Sequence, residues 1–145
     1  MSFSFVADTE IAAPAARVWD ILMDLPGYAA WNPFTYRAEG RPAVGEDVHL
    51  DVDLGWIRVH QVERVRAMEP GHLIAWGTAF GGGLVLRGLR TQRVVPLGPN
   101  RCRYETEDRI EGPMTWFVRL AFGPALDRGF RAAADALRAR AEGAP

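Results

Sequence analysis

The chain contains no lysine: its basic side chains are arginines and three histidines. Schiff-base chemistry through a lysine amine is therefore excluded, and so is a lysine general base. Serine is almost as scarce. Ser2 and Ser4 are the only two, and neither sits in the strand-turn-helix context of a nucleophile elbow. Cys102 stands alone, so no internal disulfide forms and a reducing, cytoplasmic setting is expected. No CxxC or HExxH occurs, and Gly81 to Gly83 lack the pattern of a phosphate loop. No apolar run approaches the ~20 residues of a membrane span. The N-terminus does not read as a signal peptide, because it lacks a basic start and Asp8 and Glu10 interrupt its apolar stretch. A net charge of −1 gives no electrostatic case for nucleic acid or an anionic membrane. The expected partners accordingly exclude nucleic acid and stable membrane insertion.

What is present is an ordinary globular composition, 48% apolar and 24% charged over 145 residues. Such a length predicts one domain, 1–145, able to bury roughly 70% of its unfolded surface. The stretch from Ile11 to Phe34 carries the most information. A strand from Phe3 ends at Ala12, and Pro14 opens a helix, where its missing amide has no helical partner in any case. Val18, Ile21, Leu22 and Leu25 follow at helical spacing, with Trp19 beside them. Pro26-Gly27 stops the helix, and a short aromatic turn, Tyr28 to Trp31, runs into Asn32-Pro33.

Strands are then predicted at Thr35 to Glu39, Asp47 to Leu54, Ile57 to Arg66, His72 to Phe80, Leu84 to Val95 and Arg101 to Ile110. The turns between them are marked by Gly55-Trp56, Pro70-Gly71, the triple glycine and PLGPN. In Asp47 to Leu54 the alternation is clean, with Val48, Leu50, Val52 and Leu54 on one face. From Met114 to Ala141 the pattern turns helical. Leu126, Phe130, Ala133 and Leu137 recur at intervals of four, three and four, one buried stripe. Pro124 beside Gly123 predicts a break or kink.

Strand, short helix, helix stop, W-N-P-F, and a last strand ending E-D-R-I-E-G before an apolar helix: this order resembles the START-like (SRPBCC, helix-grip) superfamily. That superfamily includes the bacterial proteins of the polyketide cyclase/dehydrase type, which this chain also resembles. The resemblance spans about residues 3 to 142. It implies an α+β helix-grip fold, in which a curved antiparallel sheet of about seven strands wraps a long C-terminal helix, with two short helices after strand 1. It further implies a cavity for a small, largely apolar molecule such as a lipid, polyketide or isoprenoid. No cofactor is implied. The lysine used by some plant members has no counterpart here.

Inward-facing polar residues are the candidates for chemistry. In RCRYETEDRI, Cys102, Tyr104, Thr106, Asp108 and Ile110 share one face, and the charged residues between them mark the wet face. In RGLRTQRVV the phase of Val94 takes in Gln92, Arg90 and Gly88. Folding this hairpin about Gly98 sets Val94 opposite Cys102, Gln92 opposite Tyr104 and Arg90 opposite Thr106, with Asp108 diagonal to Arg90. An Arg90–Asp108 pair with Gln92, Thr106 and Tyr104 is then a polar patch in an apolar pocket. The family usually carries an apolar residue at the place of Gln92 and often a histidine near that of Arg90, so the departure points to a ligand with a polar or anionic group. The competing readings are an internal salt bridge at the rim, or a one-residue slip that turns the whole set outward.

Glu63 shares phase with Val59 and Val65, and is placed near Trp76 by the Pro70-Gly71 hairpin. Burial there raises a carboxyl pKa and suits it to acid–base work; a bulge that turns Val62 inward is the alternative. Trp76 is expected to face Gly88 as cavity wall, Phe117 and Phe130 to line the helix side, and Trp31, Phe34 and Trp56 to shape an entrance. His49, His60 and Asp51 fall on the wet face without a third firm ligand, so no metal is expected. Cys102 reads as a small buried hydrophobe.

Three functions fit these residues. The first is a carrier or sensor that binds a small apolar molecule. The second is a cofactor-independent cyclase or dehydratase for a polyketide-like substrate, using Asp108, Glu63, Arg90 or Tyr104. The third, a protein-binding module, ranks last because charges are evenly scattered. Two or more titratable groups converging in the pocket mark a catalyst; a carrier needs only one polar anchor. Arg131, Asp135 and Arg138 make the outer face of the last helix look solvated, which predicts a monomer or weak homodimer.

Overall fold

The computed structural model describes residues 2–80 and 85–143. The glycine turn and the strand start expected at Leu84 lie outside the described residues. Among the described residues there are seven strands: β1 Ser2–Ile11, β2 Thr35–Gly40, β3 Asp47–Asp53, β4 Arg58–Glu69, β5 Leu73–Phe80, β6 Leu86–Gly98 and β7 Arg101–Glu111. Two helices join them, α1 Ala15–Met23 and α2 Thr115–Glu142, with a 3₁₀ turn at Pro26–Ala30. All pairings are antiparallel, in the order β1-β7-β6-β5-β4-β3-β2. Six strands therefore follow one another as hairpins, while α1 and the 3₁₀ turn carry the chain from one edge of the sheet to the other. The sheet curls around α2 as a half-barrel, the expected helix-grip architecture.

The edge-to-edge crossing explains the W-N-P-F signature. Pro33 cannot donate a hydrogen bond, but the buried Asn32 side chain accepts from the amides of Phe34 (3.0 Å) and Thr35 (2.9 Å). This Asx turn starts β2 and points Phe34 inward. Just before it, the Tyr28 hydroxyl donates to the Leu22 carbonyl at 2.8 Å, tying the turn back to α1.

Two apolar clusters divide the interior. At one end α1 and the last turns of α2 pack Ile11, Val18, Leu22, Val94, Tyr104 and Leu137 into one buried cluster. Arg17 seals that end by donating to the carbonyls of Ala141 (2.6 Å) and Arg140 (3.3 Å) at the C-terminus of α2. The larger cluster, around Phe5, Phe34, Leu50, Val65, Trp76 and Phe130, lies under the first half of α2. Gly129 sets how close that helix comes: an added Cβ would stand 2.1 Å from Cδ1 of Phe34, whose ring meets Phe130 edge-on at 5.0 Å.

Pro124 does not break α2, which runs through it. The residue is exposed, on the side of a helix where water can take the place of a missing hydrogen bond. Trp76 pairs with Arg90 rather than facing Gly88, a place taken by Thr78.

The Gly129→Ala substitution should force the Phe34 ring aside and destabilise the protein by about 1–3 kcal/mol, more than the helix-propensity gain of about 1 kcal/mol. Urea unfolding measures this, and an unchanged midpoint would mean that the ring yields freely.

Candidate functional site

Under the first half of α2 the sheet leaves a cavity of about 250 Å³. Its walls are mostly apolar: Leu50, Val52, Val59, Leu86 and Ile110 from the sheet, Phe34 from the turn, and Val118, Phe122, Leu126 and Phe130 from α2. Three ionisable side chains enter it, Glu63 from β4, Arg90 from β6 and Asp108 from β7, with Gln61, Thr35 and Thr78 as neutral polar groups.

The β6–β7 hairpin decides which residues these are. Its tight turn pairs Gly98 with Arg101, which taken alone would set Arg90 against Arg109. A bulge at Leu97 restores the phase, and Pro96 pairs with Cys102, Val94 with Tyr104, Gln92 with Thr106 and Arg90 with Asp108. Every expected inward residue does face in. The register is shifted by two from folding about Gly98, so Arg90 and Asp108 are direct partners, not diagonal ones.

Direct partnership does not make an ion pair. The Arg90 guanidinium turns along the sheet, donating from Nε to Thr106 Oγ1 (3.1 Å) and from Nη2 to Tyr104 Oη (3.4 Å). Its Cζ lies 4.8 Å from the centre of the Phe130 ring. Tyr104 passes the hydrogen bond on to Gln92 Oε1 at 2.5 Å. Arg90 is only 8% exposed, yet among the described residues it has no carboxylate within ion-pair distance and no partner on Nη1. A guanidinium carries five N–H donors, so this one keeps donor capacity on the cavity side. Gln92, Thr106 and Tyr104 thus stand behind Arg90 rather than in the cavity wall.

Glu63 points inward, as its phase requires, while Val62 is 44% exposed. A bulge does occur in β4, but at Arg66, beyond the residues it would have had to flip. Burial, reinforced by the nearby Asp108 charge and only partly opposed by Arg90, pushes the Glu63 carboxyl up to about 8. Burial also raises Asp108, with Arg90 opposing. Gly88 leaves space beside this acid: a Cβ there would meet nothing nearer than Asp108 Oδ1 at 4.0 Å.

Of the other expected residues, Phe130 lines the cavity and Trp76 is packed beside it, 1% exposed, its Nε1 without an acceptor among the described residues. Phe117 does not line it. Thr115 and Val118 turn toward the sheet, which rotates Phe117 outward to pack edge-on against Trp116 and Phe122. Phe34 belongs to the wall rather than an entrance, while Trp56 lies outside, stacked on Phe122. Gln61 and Thr78 were legible, since they share phase with Glu63 and Trp76. On the outer face His60 Nδ1 meets Asp51 at 2.6 Å beside His49.

Residues 2–142 match the family described as polyketide cyclase / dehydrase and lipid transport. The chain belongs to that family. Among solved structures it is similar to the Zhui aromatase/cyclase from Streptomyces sp. R1128, with 21% identity, a TM-score of 0.81, and coverage of 98% of this chain and 94% of that one. A START superfamily protein from Mycobacterium smegmatis gives 22% identity and a TM-score of 0.71 over 96% and 97% of the two chains. Norcoclaurine synthase from Thalictrum flavum, solved with dopamine and hydroxybenzaldehyde, gives 19%, 0.71, 95% and 85%. At these identities the likeness is one of fold. No curated protein sequence matches the chain.

The raised carboxyl has a consequence for stability. Between its ordinary 4.5 and about 8, Glu63 is ionised in the unfolded chain and protonated in the folded one. Stability should therefore fall as pH rises through that window, with Asp108 acting in the same direction. Urea midpoints should decline less steeply for Glu63→Gln than for the parent, and parallel curves would rule out the buried acid as the cause.

Proposed function

We propose that this protein is a cofactor-independent cyclase or dehydratase acting on a compact molecule with enolisable carbonyl groups, of the polyketide type. The observation that carries the reading is the entry of Glu63, Asp108 and Arg90 into one apolar cavity. A carrier needs a single polar anchor; three ionisable groups in a hollow this small are an expensive way to hold a passenger. At about 250 Å³ the cavity lies below the ~300–1,000 Å³ of drug-sized sites. That volume favours one or two rings, or a short chain held folded, so positioning supplies part of the rate.

The roles follow from chemistry. Arg90, with donor capacity left over, takes the substrate's carbonyl oxygen and stabilises the enolate. An ionised carboxylate, Asp108 or Glu63, removes the proton α to that carbonyl. In ring closure the enolate carbon bonds to a second carbonyl carbon, whose oxygen takes a proton from the other, protonated carboxyl. In dehydration the same acid protonates the departing hydroxyl, which leaves as water, and the α proton stays on the base. Two carboxyls that oppose each other's ionisation suit this division, since one is held acidic while the other is basic. Thr106, Tyr104 and Gln92 position Arg90. The absence of lysine fits a route without a Schiff base.

The carrier reading retains one argument, the predominance of apolar wall. A single experiment separates the two. The protein is incubated with a short poly-β-ketone thioester, and ring closure or loss of water is followed by mass spectrometry. Glu63→Gln and Asp108→Asn should lower turnover by about 10²–10⁴ while retaining bound substrate. Arg90→Met should lose binding yet fold at least as stably, because a buried charge is removed. Gly88→Val should fill the space beside Asp108 and exclude substrate. Substrate bound and released unchanged by the parent would decide for a carrier.

A further inference from the structure

α2 is two different helices in sequence. From Asp127 to Glu142 it has charged residues on its outer side, as an ordinary surface helix does. From Pro113 to Leu126 the only charge is Arg119. Here Val118, Phe122 and Leu126 face the cavity, yet Trp116 (53%), Phe117 and Leu120 (76%) are exposed on the other side. A helix apolar all round is normally covered on every side.

The exposed residues are connected. Trp116 meets Phe117 at 6.0 Å, Phe117 meets Phe122 at 6.4 Å, and Phe122 stacks on Trp56 at 5.6 Å with only 11° between the ring planes. Trp56 (66% exposed) and Ile57 come from the turn between β3 and β4, where Gly55 takes the left-handed φ of +91° that the tight reversal requires. A ribbon of four aromatic rings thus runs over the surface and reaches, in Phe122, a ring that lines the cavity.

The charges around the ribbon are of one sign in effect. Asp53 is held by Arg58 (3.5 Å) and Asp127 by Arg131 (3.4 Å). Arg119 lies over the Phe3 ring at 4.2 Å without a carboxylate partner among the described residues, and Arg128 has none either. The net −1 of the whole chain is an average that this face does not share. A second copy docked here across a two-fold axis would bring arginines together with no unengaged acid to meet them. Exposed Trp, Phe and Leu flanked by arginine are instead what a lipid–water interface accepts. We infer that this face docks on an anionic lipid surface, beside the wall of the cavity, through the exposed ribbon residues Trp56, Trp116 and Phe117 and the neighbouring Leu120. The inference does not rest on the catalytic reading.

The test is co-sedimentation of the full chain with vesicles of phosphatidylcholine alone and of phosphatidylcholine mixed with phosphatidylglycerol, with sedimentation velocity run in parallel. The parent should bind the mixed vesicles more tightly than the neutral ones. Trp116→Ala combined with Leu120→Ala should weaken binding by about tenfold or more without moving the melting temperature, because both side chains are exposed. Arg119→Gln should reduce binding to the mixed vesicles only, and Glu63→Gln should bind like the parent. Absence of binding to either vesicle, or equal binding by the double variant, overturns the inference. So does a parent dimer that the double variant converts to monomer, which would assign the ribbon to self-association.

Discussion

Burying the Arg90 guanidinium is the most demanding thing this chain does, and much of the interior is arranged around it. A cation taken out of water requires either a counter-ion or a full set of hydrogen bonds. Here the set is partial and neutral: a threonine hydroxyl, a tyrosine hydroxyl braced by Gln92, and the face of Phe130. Those groups come from two strands and the long helix, so the cation fixes β6, β7 and α2 relative to one another. The two carboxyls that would neutralise it most simply stand in the same cavity and are not engaged. The arrangement makes poor sense as a stability device, since a salt bridge or an apolar replacement would do better. On the proposed reading it is donor capacity held open for a substrate oxygen.

The packing on either side of Arg90 is unequal, and the inequality creates the cavity. Toward α1 the interior is filled by Val18, Leu22, Val94 and Leu137, with Arg17 clamping the end of α2. Toward β3 and β4, large wall residues meet small or absent side chains at Gly88 and Thr78, and space remains. Gly129 lets Phe34 approach the helix and closes that space from one side. The same half of α2 that faces the hollow is apolar on its outer side as well. Its sequence is therefore not explained by the fold alone, whereas that of the second half is.

Much of this was legible in the sequence, for a definite reason. Alternation of two fixes which face a residue takes, and the strong charge on the outer face of β7 favoured an inward Asp108 and Thr106 over a one-residue slip. The long-range count was harder. That Arg90 meets Asp108 and not Thr106 depends on where the hairpin turns and on one bulge at Leu97, and a sequence does not say where a hairpin absorbs an extra residue. Bulges in pairs of strands shift register, but this one preserves phase, so the inward set survived an incorrect pairing. Glu63 was legible by the same alternation because the bulge in β4 falls at Arg66, past it. Phe117 was misread because helical periodicity was weak in a segment apolar on both sides; no polar stripe marked which side faced out. The ion pair expected between Arg90 and Asp108 failed at a level below register, in the choice of rotamer and hydrogen-bond partner.

That failure is the more informative outcome. A paired Arg90 and Asp108 would be a closed unit, satisfied in the empty protein and costly to open. Unpaired, each keeps its own chemistry: a cation with free donors, and carboxyls held toward the protonated form by burial, Glu63 also by the charge of Asp108. On the proposed reading they are the electrophile, acid and base of an enolisation, brought together without lysine, reactive serine or exposed thiol. The apolar wall then has two consequences. It disfavours water, which strengthens each of these interactions, and on that reading it would admit a substrate only with most of its polar groups directed at the three side chains. Binding selectivity and chemical competence would then arise from one physical condition, the low polarity of the space into which Glu63, Arg90 and Asp108 project.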